Sequence, residues 1–519
     1  MIDESKGKYK NRNGRDTGVS NLENFAPDAT RTKGAVMLQG TGSDVGKSLI
    51  VAGLCRLFTR RGFFVLPFKP QNMSNNAAIA ADGGEISRAQ MLQARACRVE
   101  SSSEMNPVLL KPQSDRGSQV IVRGRARAVM DANAYIEYRR SLLPDVLDCF
   151  KNLRQRADLV IVEGAGSSAE ANLREGDIAN MGFARAAGVP VVLVADIDRG
   201  GSLAAVVGSC KLLPSDDRAL LSGYIINKFR GDYAVFAPSI EIIHSHTGLP
   251  CLGVLPWFDA ASSLPAEDSQ ALEKRATGHG EAGARHIRVC VLKFSRISNF
   301  DDFDPLASED DVELSFVSPG EPIPGDSDLV ILPGTKSLLA DLALLRKEGW
   351  EIDILAHLRR GGHVLGIGEG YQMLGKQVSD LHHVESVDGL GLLDVTTVME
   401  PEKKPRRFSS KTPDGIDVRG YEIQTGRTTG QDCGRPMLRL DGVPKGAVSE
   451  NGRVQGCCIH GLFANDSYRT CFLSSFTEGR RSDLRYDETV EGALNELADL
   501  VENHLDISAL SAIAGLPTR

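Results

Sequence analysis

From Gly34 onward the chain alternates short, nearly continuous apolar runs with stretches whose apolar residues recur at helical spacing. The runs Ala35–Gln39, Phe63–Lys69, Leu159–Glu163, Val191–Asp196 and Tyr224–Asn227 each end at a turn bearing Gly, Asp, Asn or Glu. Apolar runs without polar alternation belong to strands buried on both faces, as in parallel sheets covered by helices. The pattern predicts a doubly wound α/β domain over residues 34–261, with its functional groups at the carboxyl ends of the strands. Residues 262–286 mix charge, Gly and Ser without an apolar period and are expected to be a linker. The alternation restarts with Ile287–Phe294, Leu329–Pro333 and Val364–Ile367, which predicts a second α/β domain over 287–519. Near the end, Leu494, Leu497, Leu500, Val501 and Leu505 fall at helical spacing, and this helix is expected to dock on the second domain. Residues 1–33 are polar and are expected to form a disordered tail without a signal sequence.

Composition works mainly by exclusion. A chain of 519 residues is too long for one ordinary domain, and 41% hydrophobic with 25% charged residues is a globular balance. The net charge of −8, from 60 Lys+Arg against 68 Asp+Glu, argues against nucleic acid or an anionic membrane as partner. No apolar run approaches the roughly 18 residues that span a bilayer. The ten cysteines form no CxxC pair, which fits a reducing compartment without structural zinc or disulfides. A cytoplasmic protein is expected, and whether it forms a homo-oligomer is left open.

The most specific local signal is Gly40-Thr-Gly-Ser-Asp-Val-Gly-Lys-Ser48, between the first strand and a helix beginning near Lys47. Backbone N–H groups of such a loop turn toward an anion, and the helix N-terminus adds partial positive charge. Gly40, Thr41, Ser43, Asp44, Gly46, Lys47 and Ser48 are therefore the candidate ATP-binding residues, with Lys47 as the catalytic cation. The strict phosphate-loop spacing fails by one residue, because Thr41 stands where the first glycine belongs. Ser48 and Glu163, the latter at a strand end in Val162-Glu-Gly-Ala-Gly166, are the candidate Mg²⁺ ligands. Asn227, in Asn227-Lys228, is either a reader of the purine or a strand cap.

Longer strings carry a family resemblance. Phe68-Lys-Pro-Gln-Asn-Met-Ser-Asn-Asn76, Gly84-Glu-Ile-Ser-Arg-Ala-Gln90, Met105-Asn-Pro-Val-Leu-Leu-Lys-Pro112 and Ala195-Asp-Ile-Asp-Arg-Gly-Gly201 resemble the glutamine-dependent adenosylcobyric acid synthases of cobalamin biosynthesis. So do Asn227-Lys-Phe-Arg-Gly-Asp232 and Arg296-Ile-Ser-Asn-Phe-Asp-Asp-Phe-Asp304. The resemblance implies a P-loop ligase domain similar to dethiobiotin synthetase, followed by a flavodoxin-like class I glutamine amidotransferase domain. It also implies ATP- and Mg²⁺-dependent amidation of the b, d, e and g carboxylates of a corrinoid a,c-diamide. A carboxylate is a poor acceptor of ammonia, and an acyl phosphate formed from ATP supplies the leaving group it lacks. Gln71, Asn72, Asn75, Glu85, Arg88, Gln90, Lys111, Asp196 and Arg199 are the candidate substrate-binding residues. Amides both donate and accept, which suits a rim whose acids become amides one after another.

In the second domain, Leu332-Pro-Gly-Thr-Lys336 resembles the family's oxyanion-hole strand end, with Gly334 as contributor. Ile459-His-Gly-Leu-Phe463 resembles its histidine strand, making His460 the catalytic base. The nucleophile elbow, Val364-Leu-Gly-Ile-Gly-Glu-Gly-Tyr-Gln372, departs from the family's Gly-Ile-Cys-Gly-Gly-Tyr-Gln. Gly368 stands in the cysteine's place and Glu369 in that of the following glycine, so no thioester can form there. Gln424 replaces the usual histidine in Gly420-Tyr-Glu-Ile-Gln424. The expected nitrogen source is thus glutamine by family and free ammonia by residue, with Cys457 or Cys458 as replacement nucleophiles the poorer alternative. The rival functions are a cobyrinic acid a,c-diamide synthase and a P-loop regulatory ATPase.

Overall fold

A computed structural model describes residues 33–113, 117–265, 286–379, 386–400, 406–423 and 426–517. The expected N-terminal tail (apart from Lys33), most of the expected linker, and Gln424 lie outside these residues. The first sheet is wholly parallel. Its strands run Cys251–Pro256, Leu221–Phe229, Val191–Asp196, Gly34–Gly40, Leu159–Ser167 and Val65–Phe68 across the sheet. The chain order reverses around the first strand, Gly34–Gly40, so the phosphate loop leaves the sheet between the ends of Leu159–Ser167 and Val191–Asp196. That crevice is where open α/β sheets bind ligands. The edge strand Cys251–Pro256, interrupted by Gly and Pro, escaped the apolar-run pattern.

A smaller mixed sheet is inserted after the second strand. It comprises Gln71–Met73, Val108–Pro112, Gly117–Val122 and Arg125–Asp131. The helix Arg88–Ala96 lies within the same insertion.

The second large sheet runs Val312–Val317, Ile287–Leu292, Leu329–Leu332, His363–Ile367 and Val454–Cys457 in parallel, with Ala447–Val448 antiparallel at its edge. Separate apolar clusters cover its two faces. A three-stranded antiparallel sheet of Arg406–Lys411, Asp417–Glu422 and Ile459–His460 sets Tyr421 opposite His460.

The C-terminal helix corrects the sequence reading. Tyr486–His504 packs not on the second domain but on the phosphate-loop helix Lys47–Arg60, and its apolar face joins the core of the first sheet. Gly53 permits this approach: a Cβ there would meet Val501 Cγ2 at 2.8 Å. Arg56, fully buried, reaches Glu491 at 2.7 Å, and Arg60 and Arg61 pair with Asp499 and Glu502 at 2.6 and 2.7 Å. An amphipathic stripe states that a face will be buried, not against what. Among the described residues no helix is long and apolar enough to cross a membrane.

Candidate active site

The crevice above the first sheet gathers the expected phosphate-binding residues. Lys47 is buried and donates to the Gly42 and Gly166 carbonyls, both at 3.0 Å. Ser48 Oγ donates to Glu163 Oε1 at 2.7 Å, and Lys69 Nζ reaches the same oxygen at 2.8 Å. Gln93 Nε2, from the helix Arg88–Ala96, donates to Glu163 Oε2 at 2.5 Å. Glu163 is fully buried, so these partners offset its desolvation. The pair fits Mg²⁺: neighbouring ligands of an octahedron with bonds of roughly 2.1 Å lie about 3 Å apart, close to the Ser48–Glu163 spacing. Among the described residues no cluster of three His, Cys, Asp or Glu could hold a metal alone, so phosphate oxygens and water would complete the shell.

Asn227 Nδ2 donates to the Val45 carbonyl at 2.8 Å, fastening the loop to the strand Leu221–Phe229. Lys228 bonds the Asp44 carbonyl and Asp196 Oδ2 at 2.5 and 2.7 Å, and Arg199 lies 3.6 Å from the Asp44 carboxylate. Asp196 and Arg199, expected at the corrin, therefore stand at the phosphate loop.

Three other substrate candidates are engaged with protein partners. Gln90 is fully buried and bonds Ser87 and Gln93. Arg88 forms an ion pair with Asp301 and sits over the Tyr421 ring, 5.6 Å from its centroid, joining the two domains. Lys111 is fully buried against Glu85. Asn72 is buried, Gln71 accepts the Tyr135 hydroxyl at 2.6 Å, and Asn75 keeps a buried, unpartnered Oδ1. Glu85 lines a cavity of about 980 Å³ between the domains. Asp82, Arg123 and Gln119 share its first-domain wall, and Thr335, Glu369 and Met399 its second-domain wall.

Across this cavity the amidotransferase constellation is assembled without its nucleophile. Gly368 has φ 60° and ψ −124°, the strained turn that aims a nucleophile off a strand–helix junction. A Cβ built there would lie 3.2 Å from Nε2 of His460. His460 is buried; its Nδ1 is 2.6 Å from Asp302 Oδ2, whose other oxygen accepts the Gly461 N–H at 2.7 Å. A carboxylate accepts, so Nδ1 carries a proton toward Asp302, and Nε2 is the ring nitrogen that faces Gly368. Tyr421 stacks on the imidazole at 5.3 Å; burial pushes its pKa up to about 12, keeping the hydroxyl neutral to accept from Asn299 at 2.8 Å. Asn299 also donates to the Ala77 carbonyl of the first domain at 2.6 Å.

Glu369 Oε2 accepts the Thr335 N–H at 3.1 Å, so the amide engaged beside the elbow lies one residue beyond Gly334. Cys457 and Cys458 are no substitutes: burial pushes the first thiol up to about 12 and the second well above its ordinary value. Neither is a thiolate near neutrality. Sequence reading passed over Asp302, Gln93 and Ser298, although Ser298 and Asp302 lie inside the string Arg296–Asp304 that carried the resemblance.

A nucleotide-binding parallel sheet facing an amidotransferase sheet defines a carbon–nitrogen ligase of the amidotransferase type. The comparisons agree: residues 36–271 match the CobQ/CobB/MinD/ParA nucleotide binding domain and residues 288–468 the CobB/CobQ-like glutamine amidotransferase domain. The second match ends before the helix that returns to the first sheet. The cobyric acid synthase of Cereibacter sphaeroides is 55% identical over 485 residues, covering 92% of this chain and 99% of that protein. Those of Rhizobium etli (55% over 487 residues, 93% and 99%) and Hyphomonas neptunium (54% over 492, 94% and 98%) are similar to the same extent. The chain belongs to the cobyric acid synthase family.

Proposed function

We propose that this chain amidates the b, d, e and g carboxylates of adenosylcobyrinic acid a,c-diamide with ATP and Mg²⁺, taking its nitrogen from free ammonia. The observation that carries the nitrogen source is the elbow at Gly368: the turn, the base and its carboxylate are kept while the sulfur is gone. In the ligase half, Ser48 and Glu163 would hold Mg²⁺, which supplies charge neutralisation on the phosphates. Lys47 turns from the loop carbonyls to the outer phosphate oxygens, and Lys69 stays at Glu163 to balance the anionic cluster. The corrin carboxylate attacks the γ-phosphorus, ADP leaves, and ammonia attacks the acyl carbon and expels phosphate. The cavity between the domains, with Glu85 and Arg123 on one wall, is the corrin site on this reading. A biosynthetic ligase of this kind works in the cytoplasm.

The test mixes the purified chain with ATP, Mg²⁺ and candidate corrinoids, following ADP release and product mass. Ammonium salts at raised pH should support amidation and glutamine should not. Robust turnover with glutamine would overturn the nitrogen source. ADP release indifferent to corrinoid would overturn the substrate and favour a regulatory ATPase.

A further inference from the structure

The residues left at the amidotransferase elbow form a small polar chamber that the ligation chemistry does not use. Removing the cysteine empties the space in front of His460 Nε2, where even a Cβ would stand only 3.2 Å away. Glu369 brings a carboxylate beside Gly334, whose Cα lies 3.5 Å from that Cβ position. Around the point where a Cβ on Gly334 would sit, Ser298 Oγ lies at 3.2 Å, Glu369 Oε2 at 3.3 Å and His460 Cε1 at 3.4 Å. Ser298 is almost fully buried and its hydroxyl has no hydrogen-bond partner, so it is an unsatisfied polar group beside the vacated volume. Buried hydroxyls without partners are uncommon and call for a ligand or water. Glu369 also lines the cavity between the domains, which places the chamber at the edge of the proposed corrin site.

Three acceptors around a space emptied of a sulfur suit a small cation with several N–H donors. We propose that the relic glutaminase site captures ammonium ion and deprotonates it, so that His460 serves as base for NH₄⁺ rather than for a thiol. The Glu369 carboxylate and Ser298 Oγ accept N–H bonds and Glu369 offsets the positive charge. His460 Nε2 takes one proton, giving NH₃ and an imidazolium whose Nδ1–H stays on Asp302. The neutral NH₃ then enters the cavity and attacks the acyl phosphate, and the imidazolium returns its proton to water. No oxidant or further reactant is required.

Asp302 and Tyr421 contact the imidazole, Arg88 sits over the Tyr421 ring, Glu369 lies beside the imidazole at Gly334, and Cys458 Sγ lies 3.9 Å from the Gly368 carbonyl. The buried thiol and phenol remain neutral at assay pH.

The inference rests on ammonia being the nitrogen source, and the assay separates the two. Amidation of the corrinoid by the full chain is followed against total ammonium chloride from pH 6.5 to 8.5 at saturating ATP. The wild-type rate should saturate with total ammonium, and its kcat/KM for ammonium should rise less steeply with pH than free NH₃ does. His460→Ala and Glu369→Gln should lower that kcat/KM about a hundredfold near pH 7, the ordinary size of a general-base contribution. Their residual rate should climb about tenfold per pH unit, as free NH₃ does below the ammonium pKa. KM for ATP should not move in either variant, and KM for the corrinoid should not move in His460→Ala. Ser298→Ala, a one-atom deletion, should shift ammonium KM in the same direction, and it decides the matter if His460→Ala does not fold. A wild-type rate proportional to free NH₃ at every pH, or variants with unchanged ammonium kinetics, would overturn the capture site while leaving the ammonia-dependent ligase standing. Wild-type turnover with glutamine would remove both.

Discussion

The two catalytic centres are built alike and have been treated differently. Each sits at the carboxyl end of a central parallel strand followed by a helix: Gly34–Gly40 leads through the phosphate loop into Lys47–Arg60, and His363–Ile367 through Gly368 into Glu369–Leu374. Each buries a carboxylate that holds a working group, Glu163 on Ser48 and Lys69, Asp302 on His460. In the ligase centre Lys47, Ser48 and Glu163 stand together at the phosphate loop. In the other centre the positioning survives and the reacting sulfur does not. Positioning residues in a sheet-end site also hold the fold together, so they can outlast the chemistry they once served. Asn299 shows why: one side chain joins Ala77 of the first domain to Tyr421, which covers His460.

The contrast breaks most sharply at Lys47. Lys47→Ala should cut amidation about a thousandfold with any nitrogen source, because it removes a cation from the transferring phosphate. Retention of more than a tenth of the wild-type rate would place the essential cation elsewhere. Glu163→Gln keeps the shape and removes the charge, so turnover should fall about a hundredfold and excess Mg²⁺ should recover part of it. An unaltered Mg²⁺ dependence would leave Glu163 as a partner of Lys69 alone.

The contrast can also be erased. Gly368→Cys with Glu369→Gly should raise glutamine hydrolysis about tenfold or more above background, since elbow, base and orienting carboxylate are in place. The added Cβ meets a left-handed turn and the His460 ring at 3.2 Å, so this variant should also be less heat-stable than the parent. Hydrolysis that remains at background would mean the elbow has lost more than a sulfur.

The smallest effect belongs to the C-terminal helix. Burial pushes the Glu491 carboxyl up, but its hydrogen bond with Arg95 and the charge of Arg56 outweigh that, and its pKa is lowered. A lowered folded pKa gives stability that is present above the unfolded value, near about 4.3, and lost as pH falls through the folded value. Glu491→Gln should lower the Tm by about 2 °C at pH 7 and flatten this acid limb, the effect being discounted for partial exposure. An identical acid limb in thermal melts of the two proteins would assign the docking to apolar packing alone.

The phosphate loop and the strand bearing Glu163 were legible from residue type and spacing, because each depends on a local turn, and the substitution at Gly368 was legible only through the family resemblance of the elbow string. The amide-rich segments were not. Gln90 and Arg88 read as ligand-facing polarity, yet one is sealed in a hydrogen-bonded core and the other bridges the domains. Polarity in sequence does not say whether the partner is a ligand or another side chain.

By itself, then, the order of residues determined two parallel sheets and their loops, since backbone geometry and side-chain chemistry act over a few residues, and its resemblance to the family marked the absent thiol. Tertiary structure alone decided that Asp302 orients His460 across a separation of 158 residues, and that the last long helix lies on the first domain. Those outcomes depend on which buried surfaces and charges meet in space. Arg56 meeting Glu491, and Gly53 admitting Val501, are matches that no local window contains.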